Sequence, residues 1–446
     1  MAHKKINFIE VVNQYDRLCC VCSKDGKYKT VPEVIRNFTM YFLCFILLSC
    51  DFDAVHHNIE NSFVYISLRD DNAIVIYKMN PETGGLDSVD TELVDGGPAS
   101  LSLDPTKHFM YVAQRSAETI SAYSIDHQTG CLTFLNTISA ADNPVYIATD
   151  KTGNYLLSAY YSADKIAIYP IDGDGRLKSP ATQIISTDSN PHAILTDLTN
   201  SYVFIPNKTA DKILQFYFDS ETGKISPLDP SAVSTTGGAG PRHFDFHSTQ
   251  NIVYFVNETN STVTAYHLSD ITGTLSPFQI ISTLPEGFTG ENTCADIHLT
   301  SDNRFLYTSN RGHESIAAFA VDSTSGELSV LGRYTTVGEP REFDIDPTDN
   351  FLYAAGEYSD SLASYRIHQE TGELETLQVN YVGDKPSWVL VVNVPFGVKE
   401  SSVVNKYRGN NSTLAHTIFN CTQFMGHTEY QKLFFSFNKN GKQKWF

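Results

Sequence analysis

Residues 98–130 read PASLSLDPTKHFMYVAQRSAETISAYSIDHQTG, and the chain repeats their pattern on both sides. Three marks stand in it at fixed distances. Pro98 opens an apolar stretch, a tyrosine-type run Phe109-Met-Tyr-Val112 follows, and a Thr-Gly pair closes the unit at Gly130. The last mark, a Thr/Ser/Asp-Gly pair with Leu or Ile two residues on, recurs at Gly84, Gly175, Gly223, Gly273, Gly326 and Gly372. Spacings between these glycines run from 45 to 53 residues, a blade-sized interval. Each glycine sits between two strand-like runs, such as Ile120-Ser-Ala-Tyr-Ser-Ile125 before Gly130. It reads as the left-handed residue of a hairpin turn, a conformation that is cheap only without a Cβ.

The proline mark recurs at Pro144, Pro191, Pro241, Pro340 and Pro386, with Cys294 in its place in one copy. Each unit is therefore four short strands parted by polar turns. Four strands per unit, repeated radially, predict an all-β chain folded as a β-propeller. The first copy begins at its second strand, Phe63-Val-Tyr-Ile66, while Pro386-Ser-Trp-Val-Leu-Val-Val392 is an opening strand with nothing after it. Together they complete one blade. The expectation is seven blades of four antiparallel strands over residues 62–393, closed by pairing strands from the two ends, which removes the open edges of a linear array.

Composition agrees with a packed domain, at 41% hydrophobic and 12% aromatic residues. Residues 1–50 carry seven Lys/Arg against four Asp/Glu, and residues 399–446 carry seven against two. The body between them has 18 basic and 45 acidic residues, a net of −27. That excess argues against binding nucleic acid, whose backbone requires a basic face. An anionic ligand would need a local basic cluster. Of eight cysteines only Cys131 and Cys294 fall within the repeats, and Cys19, Cys20 and Cys22 lack a second half or a histidine partner. No metal site and no cofactor are expected.

The ends stand outside the ring. Residues 38–49 are apolar but too short to span a bilayer as a helix. They lead into Leu47-Leu-Ser-Cys50, which resembles a bacterial lipoprotein cleavage box with Cys50 as the lipidation candidate. If that box is real, the mature protein belongs to the cell envelope or periplasm, with a membrane association only through the lipid; otherwise it is cytoplasmic. Residues 1–50 are then a signal-like or spurious extension, and the polar, basic tail 399–446 is expected to be disordered. A monomer is expected.

Chemistry is expected at one mouth of the channel, where the start of each innermost strand meets the end of each second strand. After the opening residue stand Ala99, Val145, His192, Arg242, Ala295, Arg341 and Ser387; at the second-strand ends stand Arg69, Arg115, Tyr161, Lys208, Glu258, Arg311 and Glu357. Nine of these fourteen are charged residues or histidine, in a chain only 19% charged. Bases around two carboxylates and a histidine suit an anionic substrate and acid–base chemistry. Surface charges pairing with one another are the alternative.

Three motifs, Gly240-Pro-Arg-His-Phe-Asp-Phe-His247, Tyr254-Phe-Val-Asn-Glu-Thr-Asn-Ser261 and Cys294-Ala-Asp-Ile-His298, resemble the seven-bladed lactonase family. That family includes propeller-type 6-phosphogluconolactonases and fungal carboxymuconate lactonizing enzymes, and the resemblance spans roughly residues 62–393. It implies a catalytic set of His192, Arg242, Glu258 and Arg311, all of them already on the rim. Arg69, Arg115, Lys208, His243, Arg341 and Glu357 are the expected substrate-binding residues. The implied activity is hydrolysis of a small anionic sugar lactone such as 6-phosphogluconolactone, without a metal. The alternatives are a carboxymuconate-type cycloisomerase and a non-catalytic propeller that binds a carbohydrate or protein.

Overall fold

A computed structural model of the protein describes residues 60–395. The lipidation candidate Cys50, the cysteines at 19–22 and the tail 399–446 lie outside the described residues. Within them, twenty-eight strands form seven four-stranded antiparallel sheets, so the expected seven-bladed, all-β architecture is what the chain adopts. Blade 1 is Pro386–Pro395, Glu60–Leu68, Ala73–Met79 and Leu86–Leu93, from the innermost strand outward. Closure is as the repeats require: Phe63 pairs with Val392, Val64 with Val391 and Tyr65 with Leu390. Blades 2 to 7 follow in chain order, with innermost strands Pro98–Leu103, Tyr146–Thr149, Leu195–Thr196, Pro241–Phe246, Thr293–Leu299 and Pro340–Ile345.

The core is seven apolar clusters, each shared by two neighbouring blades. Alternation along one strand shows why. Phe63 and Tyr65 pack toward Met110 and Val112 of blade 2, whereas Val64 and Ile66 pack toward Phe351 and Tyr353 of blade 7. A second strand must therefore be apolar on both faces, which is why these strands read as unbroken hydrophobic runs. Outermost strands such as Leu86–Leu93 are largely exposed and polar.

The hairpin glycines also join blades. Gly130 has φ 77°, and a Cβ there would lie 2.6 Å from the Phe63 ring of blade 1. Its carbonyl accepts the Tyr65 hydroxyl at 2.8 Å. Gly84 repeats the arrangement across the closure, under Phe351, with its carbonyl accepting the Tyr353 hydroxyl at 2.8 Å. One residue thus serves the turn and the interblade joint.

Not every opening residue starts a regular strand. In blade 4 the innermost strand shrinks to Leu195–Thr196, and Pro191 makes only an isolated bridge to Asn207. In blades 2, 5, 6 and 7 the pairing of the first two strands shifts register just after the opening residue. Such a bulge lets consecutive side chains face one side instead of alternating.

Candidate active site

The bulges explain how the rim is filled. In blade 5 the register shifts between Pro241 and Phe244, and Arg242 and His243 both turn to Glu342 of blade 7. Arg242 Nη2 donates to Glu342 Oε1 at 2.9 Å, and His243 Nδ1 lies 3.7 Å from Glu342 Oε2.

Glu258, at the end of the second strand of blade 5, is the hub of the upper layer. Its Oε1 accepts Lys208 Nζ at 2.6 Å and lies 3.2 Å from Arg311 Nη2; its Oε2 lies 3.3 Å from Arg242 Nε. Burial pushes this carboxyl up, but Arg242, Arg311 and Lys208 outweigh it and hold the group below the usual carboxylate range. Arg311 also donates Nη2 to the Cys294 carbonyl at 2.9 Å. Arg242 is only 1% exposed, with Nη1 on the Ala295 carbonyl.

A cavity of about 190 Å³ opens beside this hub, lined by Arg115, Val145, Tyr161, His192, Lys208, Glu258, Arg311 and Arg341. Six of the ten expected site residues therefore share one cavity. His192 is 5% exposed, and its Nδ1 is buried without a hydrogen-bond partner. Burial, then Arg242 and His243, hold its imidazole well below the ordinary histidine range, so it is neutral. Burial and the nearby Arg341 and Arg69 lower the Arg115 guanidinium to about 10, which still leaves it a cation at neutral pH.

The other four lie around or beneath. Glu357 is a buried anchor, accepting Arg69 Nη1 at 2.8 Å and Arg341 Nη1 at 3.3 Å. Arg69 lines an open depression of about 570 Å³ that shares Arg115 with the first cavity. Arg242 sits below the rim. His243 is buried beside it, its Nδ1 2.8 Å from Asp296 Oδ1, while His298 Nε2 lies 3.0 Å from Asp296 Oδ2. Asp296 is held well below the carboxylate range by these histidines despite its burial, and in return it raises His298 to about 10. His243 falls to about 3, because burial and Arg242 oppose its protonation.

Of this lower layer of His243, Asp296 and Glu342, sequence reasoning named His243 but missed Asp296 and Glu342. Each stands one residue after a rim position, in a column where alternation alone would turn the side chain away. Among the described residues these three come nearest to a metal-ligand geometry, one ligand atom each within 4.8 Å of the others. The Arg242 guanidinium borders this group, 3.2 Å from His243 Nδ1 and 2.9 Å from Glu342 Oε1.

The family model for lactonases of the seven-bladed β-propeller type matches residues 52–144 and 132–391. Among curated proteins, a 6-phosphogluconolactonase of Klebsiella pneumoniae (strain 342) is 41% identical over 127 residues, 28% of this chain and 38% of that protein. One of Serratia proteamaculans (strain 568) is 33% identical over 170 residues, 38% of this chain and 51% of that protein. The chain thus spans about half the length, or less, of these curated relatives. A periplasmic gluconolactonase of Pseudomonas aeruginosa superposes with TM-score 0.71 at 26% identity, over 75% of this chain and 100% of that one.

Proposed function

The chain belongs to the seven-bladed β-propeller lactonase family, and from that premise we propose that it hydrolyses the ring ester of a small anionic sugar lactone. One observation carries the reading: Arg115, Lys208, Arg311 and Arg341 line a single cavity with His192 and Glu258, in a body of net charge −27. Four cations gathered against that field favour an anionic ligand in this cavity. At about 190 Å³ the cavity is smaller than the roughly 300–1,000 Å³ of pockets for drug-sized ligands, which suits one sugar ring better than an oligosaccharide or a protein.

Lactone hydrolysis needs a water stripped of a proton, donors for the carbonyl oxygen as it becomes an anion, and a proton for the leaving ring oxygen. His192 is neutral and lines the cavity, so it can take the proton. Arg311 meets the oxyanion, a task suited to guanidinium because its donors are fixed in a fork. Lys208, Arg115 and Arg341 hold the substrate's phosphate or carboxylate. Glu258, tied to three cations, orients them, and Arg242 acts through Glu258. No step in this scheme calls on a metal, so chelators should leave the rate unchanged.

The test is hydrolysis by the purified full chain, followed against spontaneous ring opening. 6-Phosphogluconolactone and gluconolactone are the first two substrates, since relatives carry both names. Accelerated hydrolysis of either supports the reading, and their ratio sets the role of phosphate. Turnover of neither, with cyclisation of a carboxymuconate instead, would replace it.

A further inference from the structure

Adjoining this cavity is a second, far smaller one of about 10 Å³, the space of roughly one water. It is lined by His192, Arg242 and Glu342, among others, and His192 lines the larger cavity as well. Three buried polar atoms of its lining residues have no hydrogen-bond partner: His192 Nδ1, Glu342 Oε2 and Arg242 Nε, the last of which lies 3.3 Å from Glu258 Oε2. Glu342 is 2% exposed, and its other oxygen is already engaged by Arg242. Orphaned buried groups of this kind cost stability unless something joins them. A water held between them has a donor or acceptor on each side.

We propose that Glu342 is the terminal proton acceptor of the hydrolysis, reached from His192 across this small cavity. The proposal rests on the lactonase reading above. In the step, one O–H bond of the attacking water breaks as its oxygen bonds to the carbonyl carbon. The proton goes to one imidazole nitrogen while the other nitrogen passes its proton to Glu342 through one water. Collapse then breaks the ring C–O bond, and the same route returns the proton to the leaving oxygen. The product acid ionises and releases one proton to solvent.

Local charge explains why the histidine needs help. His192 would have to hold a proton beside Arg242, Arg341 and Arg115, whereas a proton delivered to Glu342 neutralises a carboxylate. The groups around Glu342 are Arg242 and His243 from blade 5, Asp296 from blade 6, Arg341 on its own strand, and His192, Arg69 and Arg115 across the cavity. Burial and Asp296 raise its carboxyl to about 8 against the pull of Arg242 and Arg341, close to where a base working near neutrality is most effective. Glu342 acts through His192, so it is a positioning and proton-holding residue.

Glu342→Gln keeps the shape and an acceptor for Arg242 but cannot take the proton. Its kcat should fall by about a hundredfold or more, with KM little changed. The wild-type rise of kcat as pH increases through about 8 should vanish, while Glu342→Asp keeps both part of the rate and the rise. Infrared spectra should show a protonated carboxyl in the wild-type protein that disappears over the same pH range and is missing from the Gln variant. This readout needs no turnover, so it separates failure of the relay from failure of the lactonase reading. Equal kcat losses in the Gln and Asp variants with an unmoved pH profile, or no titrating carboxyl, would overturn the proposal; the Asp variant carries the test should the Gln variant not fold.

Discussion

Glu258 and Arg311 touch each other and line the same cavity, yet losing them should have different consequences. Removing one charge-stabilising donor costs on the order of a hundred- to a thousandfold in rate, so Arg311→Ala should lose most activity. Its effect on melting should be small, because burial and the neighbouring Arg242 already disfavour its charge. Glu258→Gln should lose activity and melt lower as well, since three cations are left around an uncharged amide. Thermal melts beside rate measurements separate the two. The carboxylates also pull stability in opposite directions with pH. The lowered Glu258 contributes stability above its ordinary value of 4.5 and loses it as pH falls through the folded value. Glu342, raised to about 8, keeps its proton in the fold while the unfolded chain has released it. Between about 4.5 and 8 its contribution therefore worsens as pH rises. Glu342→Gln should melt progressively higher than the wild type from pH 5 to 8; a constant gap would contradict this.

At the scale of a strand or turn, the hairpin glycines are the most demanding positions. Gly130→Ala places a Cβ on a residue at φ 77° and drives it into the Phe63 ring. The left-handed backbone alone costs roughly 1–2 kcal/mol, and overpacking typically adds about 1–3 kcal/mol. Gly173→Ala is the control, for a Cβ there meets nothing within 4 Å and the backbone is not left-handed. Denaturant titration should show a large loss for the first and almost none for the second. The glycine pattern was legible because it answers to local chemistry, a turn that admits no Cβ. The bulges that aim Arg242 and His243 at one partner were not, since no residue type in Gly240-Pro-Arg-His243 requires an irregular ladder.

For the whole ring, closure is the critical joint. The strand Pro386–Pro395 gives Val389 and Val391 to the cluster shared with blade 7, and Val392 and Val394 to the cluster shared with blade 2. Deleting residues 386–395 therefore removes apolar surface from two interfaces and frees the edge of the strand Glu60–Leu68. Calorimetry should show the entire ring destabilised, with blades far from the cut melting along with blade 1. A truncated protein melting like the intact one would mean that the blades hold together without the closing pair.

The sequence by itself determined the number of blades, the strand order and the rim, because a repeat writes the same local rules seven times and any position can be compared with its six counterparts. It also placed His192, Glu258, Arg311, Arg115, Lys208 and Arg341 together, since the ends of adjacent strands in a closed ring must meet around the channel. Only the tertiary structure decided which of these face open space and which are held beneath it. Arg242 and His243 sink into a lower layer with Asp296 and Glu342, residues separated by about fifty to a hundred positions in the chain. Ionisation there depends on burial and on charges from other blades, quantities that no spacing within a single repeat encodes.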